Sequence, residues 1–340
     1  MNNTVNNNIE ALKEILNSSE NIAITTHRNP DGDALGSSIG LYNYLLEQGK
    51  LVNVIVPNSY PKDLHFLPGD SEVSIFCNNK TRCENIIKSS DLLIVLDYND
   101  FSRTEDMADS LNNFEGNIIV IDHHPDPKID ATVTISDISV SSTCELVYEI
   151  CSALSNNPVL SKNTATALYL GIMTDTGNFR HNCSNPQTFE TVANLLRSGI
   201  NKDEITAQIF ESYKKDRLSL MGFCINDGLS IIEECNTAYI TITKETRERF
   251  NYVKGDSEGF VNIPLSIEGI YFSAIFIEFE DHIKISFRSR GQFATNNFSS
   301  KYFNGGGHKN AAGGRSALSL TETIDSFIEK VNIHKNEIIY

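Results

Sequence analysis

The sequence is short of several things, and each shortage excludes a class of protein. No apolar stretch approaches the length needed to cross a bilayer, since runs such as Leu92 to Leu96 and Ile118 to Ile121 end at acidic residues after a few positions. The opening residues, Met1 to Asn8, are polar and uncharged and lack the basic-then-apolar order of a secretory signal, so a soluble cytoplasmic protein with no membrane partner is expected. No close pair among the seven cysteines (Cys77, Cys83, Cys144, Cys151, Cys183, Cys224 and Cys235) is spaced to grip zinc, and their odd number and scatter read as reduced, mostly structural thiols. Cations are scarce: 28 Lys and Arg stand against 44 Asp and Glu, a net charge of -16 at pH 7. Such a field repels a long polyanion, so any nucleic-acid substrate should be short. Glycine and proline are thinly spread, and there is no repeat or low-complexity tract, which excludes fibrous and disordered chains; the asparagine-rich start reads as a polar terminus.

What remains is a 340-residue chain with 40% hydrophobic residues, enough for two cores. From Ile22 to about Phe179, short β-rich apolar runs alternate with helical stretches, the pattern of a doubly wound, mainly parallel sheet covered by helices on both faces. Strands are expected at Ile22 to Thr26, Leu51 to Val56, Leu92 to Asp97 and Asn117 to Asp122. Helices are expected at Ala34 to Gln48, Thr143 to Ala153, Asn163 to Met173 and Pro186 to Arg197. A charged helical connector follows at Lys202 to Asn226, and beyond it the texture changes to longer strands at Ala238 to Thr243, Tyr271 to Phe279 and Ile283 to Arg288. A glycine cluster and a helix near Thr321 to Val331 close the chain. The expected domains are 1–200, a helical linker 201–228, and a smaller mixed-sheet α/β domain 229–340, with the active site in the cleft between the two domains.

Three of the expected strands run directly into residues that bind metals: His27, Asp31 and Asp33 after the first, Asp97 after the third, and Asp122, His123 and His124 after the fourth. In open α/β sheets, sites form beyond the carboxyl ends of the strands, so these segments should converge. Asp175 adds a carboxylate at a helix end, where Gly177 lets the chain turn sharply. Carboxylates crowded at one sheet edge repel each other unless cations neutralise them, and two metals about 3.5–4 Å apart need a shared oxygen ligand, a role open to Asp97. Taken singly, Asp31 or Asp33 could be no more than a helix N-cap, and a lone histidine no more than a satisfied surface or core residue.

The segments His27-Arg28-Asn29-Pro30-Asp31-Gly32-Asp33, Asp97, Asp122-His123-His124-Pro125 and Thr174-Asp175-Thr176-Gly177 resemble, in order, the four motifs of the DHH phosphoesterase superfamily. Gly305-Gly306-Gly307-His308-Lys309-Asn310-Ala311-Ala312-Gly313 resembles the glycine-rich signature of the DHHA1 domain, and Ser286-Phe287-Arg288-Ser289-Arg290 its companion strand. The nearest group is the NrnA-like enzymes, bifunctional oligoribonucleases (nano-RNases) and pAp phosphatases. The resemblance implies two manganese ions, one on His27 and Asp31, the other on Asp33, His123 and Asp175, with Asp97 bridging. It also implies a catalytic part for Asp97, His123 and His124, with His124 beside the scissile phosphate. Asp122 is expected to fix a histidine's orientation or else to face solvent.

Ser286, Arg288, Gly306, Gly307 and His308 are expected to bind substrate, because consecutive glycines let backbone N–H groups approach a phosphate and an arginine can bind it bidentately. A helix starting near Asn310 would point its positive end there. Arg103 could contact substrate or be a surface residue. Phe179, Tyr302 and Phe303 could stack on a base, with core packing the competing use. Tyr98 and Asn304 depart from the family pattern and bear on the shape of the substrate pocket. The implied activity is manganese-dependent hydrolysis of very short oligoribonucleotides to nucleoside 5'-monophosphates and of 3'-phosphoadenosine 5'-phosphate to AMP. A cyclic di-AMP or pApA phosphodiesterase and a non-catalytic nucleotide- or RNA-binding protein are the alternatives. Short RNA and small nucleotides are the expected partners, and a homodimer is left open.

Overall fold

A computed structural model describes residues 3–211 and 213–339, which fall into two compact units, Met1–Ser212 and Tyr213–Tyr340. The segment expected as a connector contributes one helix to each. Met1 and Asn2, at the head of the stretch read as a polar terminus, lie outside the described residues.

Among the described residues, the first unit carries six strands: β1 (Asn21–Thr25), β2 (Leu51–Val56), β3 (Val73–Ile75), β4 (Leu92–Leu96), β5 (Asn117–Asp122) and β6 (Val133–Ser136). They form one sheet in the order β3-β2-β1-β4-β5-β6, with every pairing parallel. The helices are α1 (Asn3–Ser18), α2 (Gly32–Glu47), α3 (Lys80–Ser89), α4 (Ala108–Asn112), α5 (Thr143–Ser155), α6 (Lys162–Asp175), α7 (Pro186–Arg197) and α8 (Lys202–Phe210).

Both sheet faces are covered. Ile22, Ile24, Leu92, Ile94, Ile119 and Ile121 pack under α1, α2, α5 and α6, while Ala23, Leu93, Val95 and Val120 pack under α3 and α4. Burial on both faces is why the strands read as unbroken apolar runs rather than as alternations. The strand order reverses direction between β1 and β4, and a crevice opens there beyond the strand ends.

Two sequence expectations need correction here. The asparagine-rich start is not merely a polar terminus: α1 begins at Asn3 and buries Val5, Leu12 and Leu16 against the core. Tyr98 does not shape a pocket. It is fully buried on the α3/α4 side of the sheet, and its hydroxyl sits 2.8 Å from Thr25 Oγ1.

Helices α2 and α6 pack closely because glycines face each other. A Cβ on Gly36 would lie 2.6 Å from the Ala167 carbonyl oxygen, and one on Gly171 would lie 2.1 Å from Cys144 Sγ and 3.0 Å from Asp33 Oδ1. This seam brings the start of α2 and the end of α6 together. All seven cysteines are free thiols, and only Cys77 is exposed. Among the described residues, no helix is long and apolar enough to cross a membrane.

The second unit holds α9 (Lys215–Asn226), β7 (Leu229–Ile232), β8 (Thr237–Ile242), α10 (Lys244–Arg249), β9 (Phe272–Glu278), β10 (Ile283–Ser289), α11 (Thr295–Tyr302), β11 (Gly306–His308), β12 (Ala311–Ser316) and α12 (Leu320–Ile333). Its sheet runs β11-β12-β10-β9-β8-β7, parallel only between β8 and β9 and therefore mixed. Phe272, Phe276, Phe287, Phe298, Phe303 and Phe327 form an aromatic core on one face. Phe303 belongs to that core, Tyr302 packs against it with its hydroxyl 3.0 Å from His334 Nε2, and Phe179 packs against the core of the first unit. All three are therefore packing residues.

No helix begins at Asn310. The glycine cluster instead forms β11 and β12, an antiparallel pair turned at Lys309 and Asn310, because pairing with β10 supplies the order that glycine propensity withholds. Asn304 has φ +48°, a left-handed conformation in which glycine or asparagine sits with least strain.

Candidate metal centre and phosphate-binding face

The crevice beyond β1, β4 and β5 collects the first unit's expected ligands. Among the groups whose ligand atoms lie within 4.8 Å of one another are His27 with Asp31 and Asp97, Asp33 with His123 and Asp175, and Asp97 with Asp122 and His124. Asp97 faces the first two, with Oδ2 3.3 Å from His27 Nε2 and Oδ1 3.6 Å from His123 Nε2. His123 Nε2 also lies 3.8 Å from Asp33 Oδ2 and 3.8 Å from Asp175 Oδ2.

Each ligand is held by its own local structure. His27 Nδ1–H donates to the Arg28 carbonyl at 2.8 Å, which leaves Nε2 as the nitrogen facing the carboxylates. The Val140 carbonyl accepts a hydrogen bond from His123. Asp31 satisfies both readings weighed from the sequence: Oδ1 caps α2 by accepting from the N–H groups of Asp33 and Ala34, each at 3.1 Å, while Oδ2 lies 3.9 Å from His27 Nε2. Asp97 has φ +67°, a left-handed turn just past β4 that costs a non-glycine residue about 1–3 kcal/mol and aims its carboxylate into the crevice.

Two residues that sequence reasoning missed complete the support. The N–H groups of Thr143 and Cys144, in the first turn of α5, donate to Asp33 Oδ2 at 2.8 Å and Oδ1 at 2.9 Å. The Thr143 hydroxyl donates to Asp97 Oδ1 at 3.0 Å. The sequence signals the start of α5 through Ser142, whose Oγ accepts from Glu145 N–H at 3.2 Å, but it does not show that a distant carboxylate docks on that helix start.

Burial and then the charge of Asp31 raise the Asp33 carboxyl to about 6, against the opposing hydrogen bonds from Cys144 and Thr143. Asp97 is pushed well above the usual range by burial and by Asp33. Asp175, with its side chain 32% exposed, is pushed up by desolvation and by the charges of Asp33, Asp31 and Asp97. Burial lowers His123 to about 4, which keeps its ring neutral and able to ligate. Crowded carboxylates that resist ionising together, beside a neutral imidazole, are a donor set that fits divalent cations.

His124 is built differently. Its Nδ1–H donates to Asp122 Oδ1 at 2.7 Å, and its backbone N–H reaches the same oxygen at 3.1 Å. Against its burial, that bond and the charge of Asp97 raise its pKa. Burial opposes ionisation of Asp122, but the contacts from His124 outweigh it and hold the carboxyl low. Asp122 thus fixes a histidine rather than facing solvent. Arg103 is exposed, and its charge acts on His124, while its carbonyl accepts from Arg28 N–H at 2.9 Å.

In the second unit, Arg288, Ala311 and His308 stand in one cross-strand row, and Ser286, Gly313 and Gly306 in the next. Residues directly opposite share a face, so Ser286, Arg288, Gly306 and His308 lie on the face away from Phe287. Gly307 pairs with Ala312 on the core side. Burial lowers the Arg288 pKa, and its Nη1 donates to the Phe287 carbonyl at 2.9 Å.

Comparisons with known proteins agree with this division. Residues 21–172 match the model of the DHH family, N-terminal domain, and residues 236–333 match the DHHA1 domain. The chain is 30% identical over 317 residues to the bifunctional oligoribonuclease and PAP phosphatase NrnA of Thermus thermophilus, covering 91% of this chain and 89% of that protein. It is 29% identical over 296 residues to the protein of the same name from Bacillus subtilis, covering 86% and 88%. A crystal structure of an exopolyphosphatase-related protein from Bacteroides fragilis superposes with a TM-score of 0.95 at 38% identity, covering 98% of each chain.

Proposed function

The chain belongs to the DHH family of phosphate-ester hydrolases, with a DHHA1 domain after its DHH domain, and from that premise we propose that it removes nucleoside 5'-monophosphates from oligoribonucleotides a few residues long. We extend the proposal to dephosphorylation of 3'-phosphoadenosine 5'-phosphate and to manganese as the metal. The two activities are those in the names of the Thermus and Bacillus relatives. The observation that carries the reading is Asp97 standing between two complete ligand groups, with one oxygen toward each.

In this reading His27, Asp31 and Asp97 hold one divalent cation, and Asp33, His123, Asp175 and Asp97 hold the other. Bound there, the pair supplies positive charge for phosphoryl transfer and lowers the pKa of water. The protein's own part is to place the reactants. The start of α5 fixes Asp33 and Asp97. Asp122 keeps a proton on His124 Nδ1 and leaves Nε2 for a phosphate oxygen of the substrate. Arg288, Ser286 and His308, with the backbone of the glycine strand, receive a phosphate of the substrate. Arg103 is a further contact to substrate. The net charge of -16 favours short substrates over long nucleic acid.

The test is a parallel rate comparison with manganese on a diribonucleotide, a longer oligoribonucleotide, 3'-phosphoadenosine 5'-phosphate and cyclic di-AMP. Fast turnover of the diribonucleotide and of 3'-phosphoadenosine 5'-phosphate is expected. Preference for cyclic di-AMP would replace the assignment with a dinucleotide phosphodiesterase, and no turnover of any of them would leave a binding protein.

A further inference from the structure

The face of the second unit's sheet that carries Arg288 and His308 does not end with them. Alternation along β10 puts Lys284, Ser286 and Arg288 on that one face, while Ile283, Ile285 and Phe287 enter the aromatic core. Lys284 pairs in register with Arg315 of β12, so two cations stand side by side at the far end. The row between the two ends is Ser286, Gly313 and Gly306, where two of three positions have no side chain. The result is a trough floored by backbone, with cations at both ends.

Arg288 and Lys284 are four residues apart, or ~13 Å at roughly 3.3 Å per residue. That separation is too long for the two phosphates of one nucleotide and within reach of a linear strand. Among the described residues Lys284 forms no ion pair; burial and then the charge of Lys254 lower its pKa against the charge of Glu258, which acts on Arg288 as well. Arg315 is paired with Asp281 at 2.9 Å, but its side chain is 59% exposed, and an exposed pair of this kind contributes little and exchanges readily for a phosphate. Two cations side by side stand out on a chain with 44 acidic and 28 basic residues.

We infer that Lys284 and Arg315 form a second anion subsite that takes a distal phosphate of a linear oligoribonucleotide, one that 3'-phosphoadenosine 5'-phosphate is too short to reach. The inference rests on the proposed function and specifies its substrate class: strands of three or more nucleotides gain a contact that small nucleotides do not.

The experiment compares wild type with Lys284→Gln, Arg315→Gln and the double variant, measuring KM and kcat on a tetraribonucleotide and on 3'-phosphoadenosine 5'-phosphate. The double variant should raise KM for the tetranucleotide roughly tenfold, leave kcat unchanged, and shift KM for 3'-phosphoadenosine 5'-phosphate less than about twofold. The slope of log(kcat/KM) against log[salt] for the tetranucleotide should flatten by about 0.7 per lost contact. Equal shifts on both substrates, or no shift on the tetranucleotide, would overturn the subsite. If wild type hydrolyses neither substrate, the proposed function fails, and calorimetric titration of tetraribonucleotide into wild type and the double variant decides the subsite by itself: a loss of affinity supports it, and equal affinity removes it.

Discussion

In the metal-free protein, Asp33 should contribute stability that is lost as pH rises from about 4 to about 6, which is the reverse of the usual carboxylate behaviour. The argument runs through Asp33, whose carboxyl is raised from 3.8 to about 6 in the folded chain. Between those values the folded state keeps a proton that the unfolded state releases. Stability from this group is therefore full below the unfolded value and is lost as pH climbs through the folded one. The shift is about 6 less 3.8, or about 2.2 units, and at 1.36 kcal/mol per unit it makes the Asp33 contribution about 3 kcal/mol smaller above both values than below both. Asp97 and Asp175 are raised as well and act in the same direction, while His123, lowered to about 4, acts in the opposite one, so the Asp33 part is isolated by comparison with a variant.

The comparison protein is Asp33→Asn, which cannot titrate. It forfeits one of the two bonds from α5, at a cost of about 1–2 kcal/mol. Urea midpoints followed by circular dichroism in the presence of chelator, at steps from pH 4.5 to 7.5, should show wild type falling relative to the variant by about 2 kcal/mol. Adding manganese to a thousandfold excess over its dissociation constant should then restore about 4 kcal/mol per filled site to wild type and less to the variant, whose His27, Asp31 and Asp97 group is intact. Parallel pH profiles for the two metal-free proteins would refute the electrostatic account of the site.

Asp97→Asn keeps the Thr143 hydrogen bond but removes the shared charge, so kcat should fall at least about a thousandfold on every substrate while the thermal midpoint stays near wild type; near-normal turnover would remove the bridging assignment. Gly171→Ala places a methyl group 2.1 Å from Cys144 Sγ and should cost about 1–3 kcal/mol in denaturant unfolding, with Cys144→Ala on the same chain recovering most of it. Arg288→Lys retains charge but loses the planar fork, so steady-state kinetics should show KM raised roughly tenfold with kcat little changed.

Four strands of the first sheet were legible because both their faces are buried, and His27, Asp97 and His123 could be singled out from their places at such strand ends, as Asp175 could from the end of a helix. Strands β3 and β6 escaped notice because three or four edge residues, Val73 to Ile75 and Val133 to Ser136, carry too little pattern. Helix α1 was hidden by its asparagines, although Val5, Leu12 and Leu16 lie on one buried stripe. The glycine cluster misled in the other direction. Its strand character comes from β10, which the residues themselves do not encode. Thr143 and Cys144 were invisible as site residues because they act mainly through backbone N–H groups, and those groups gain meaning only when Asp33 folds against them.

The left-handed bend at Asp97 narrows what could ever occupy that position. Glycine and asparagine tolerate the backbone but bring no anion, whereas glutamate brings the anion on a longer arm and resists the twist. A randomised codon there meets two independent filters, one conformational and one chemical, and aspartate alone passes both.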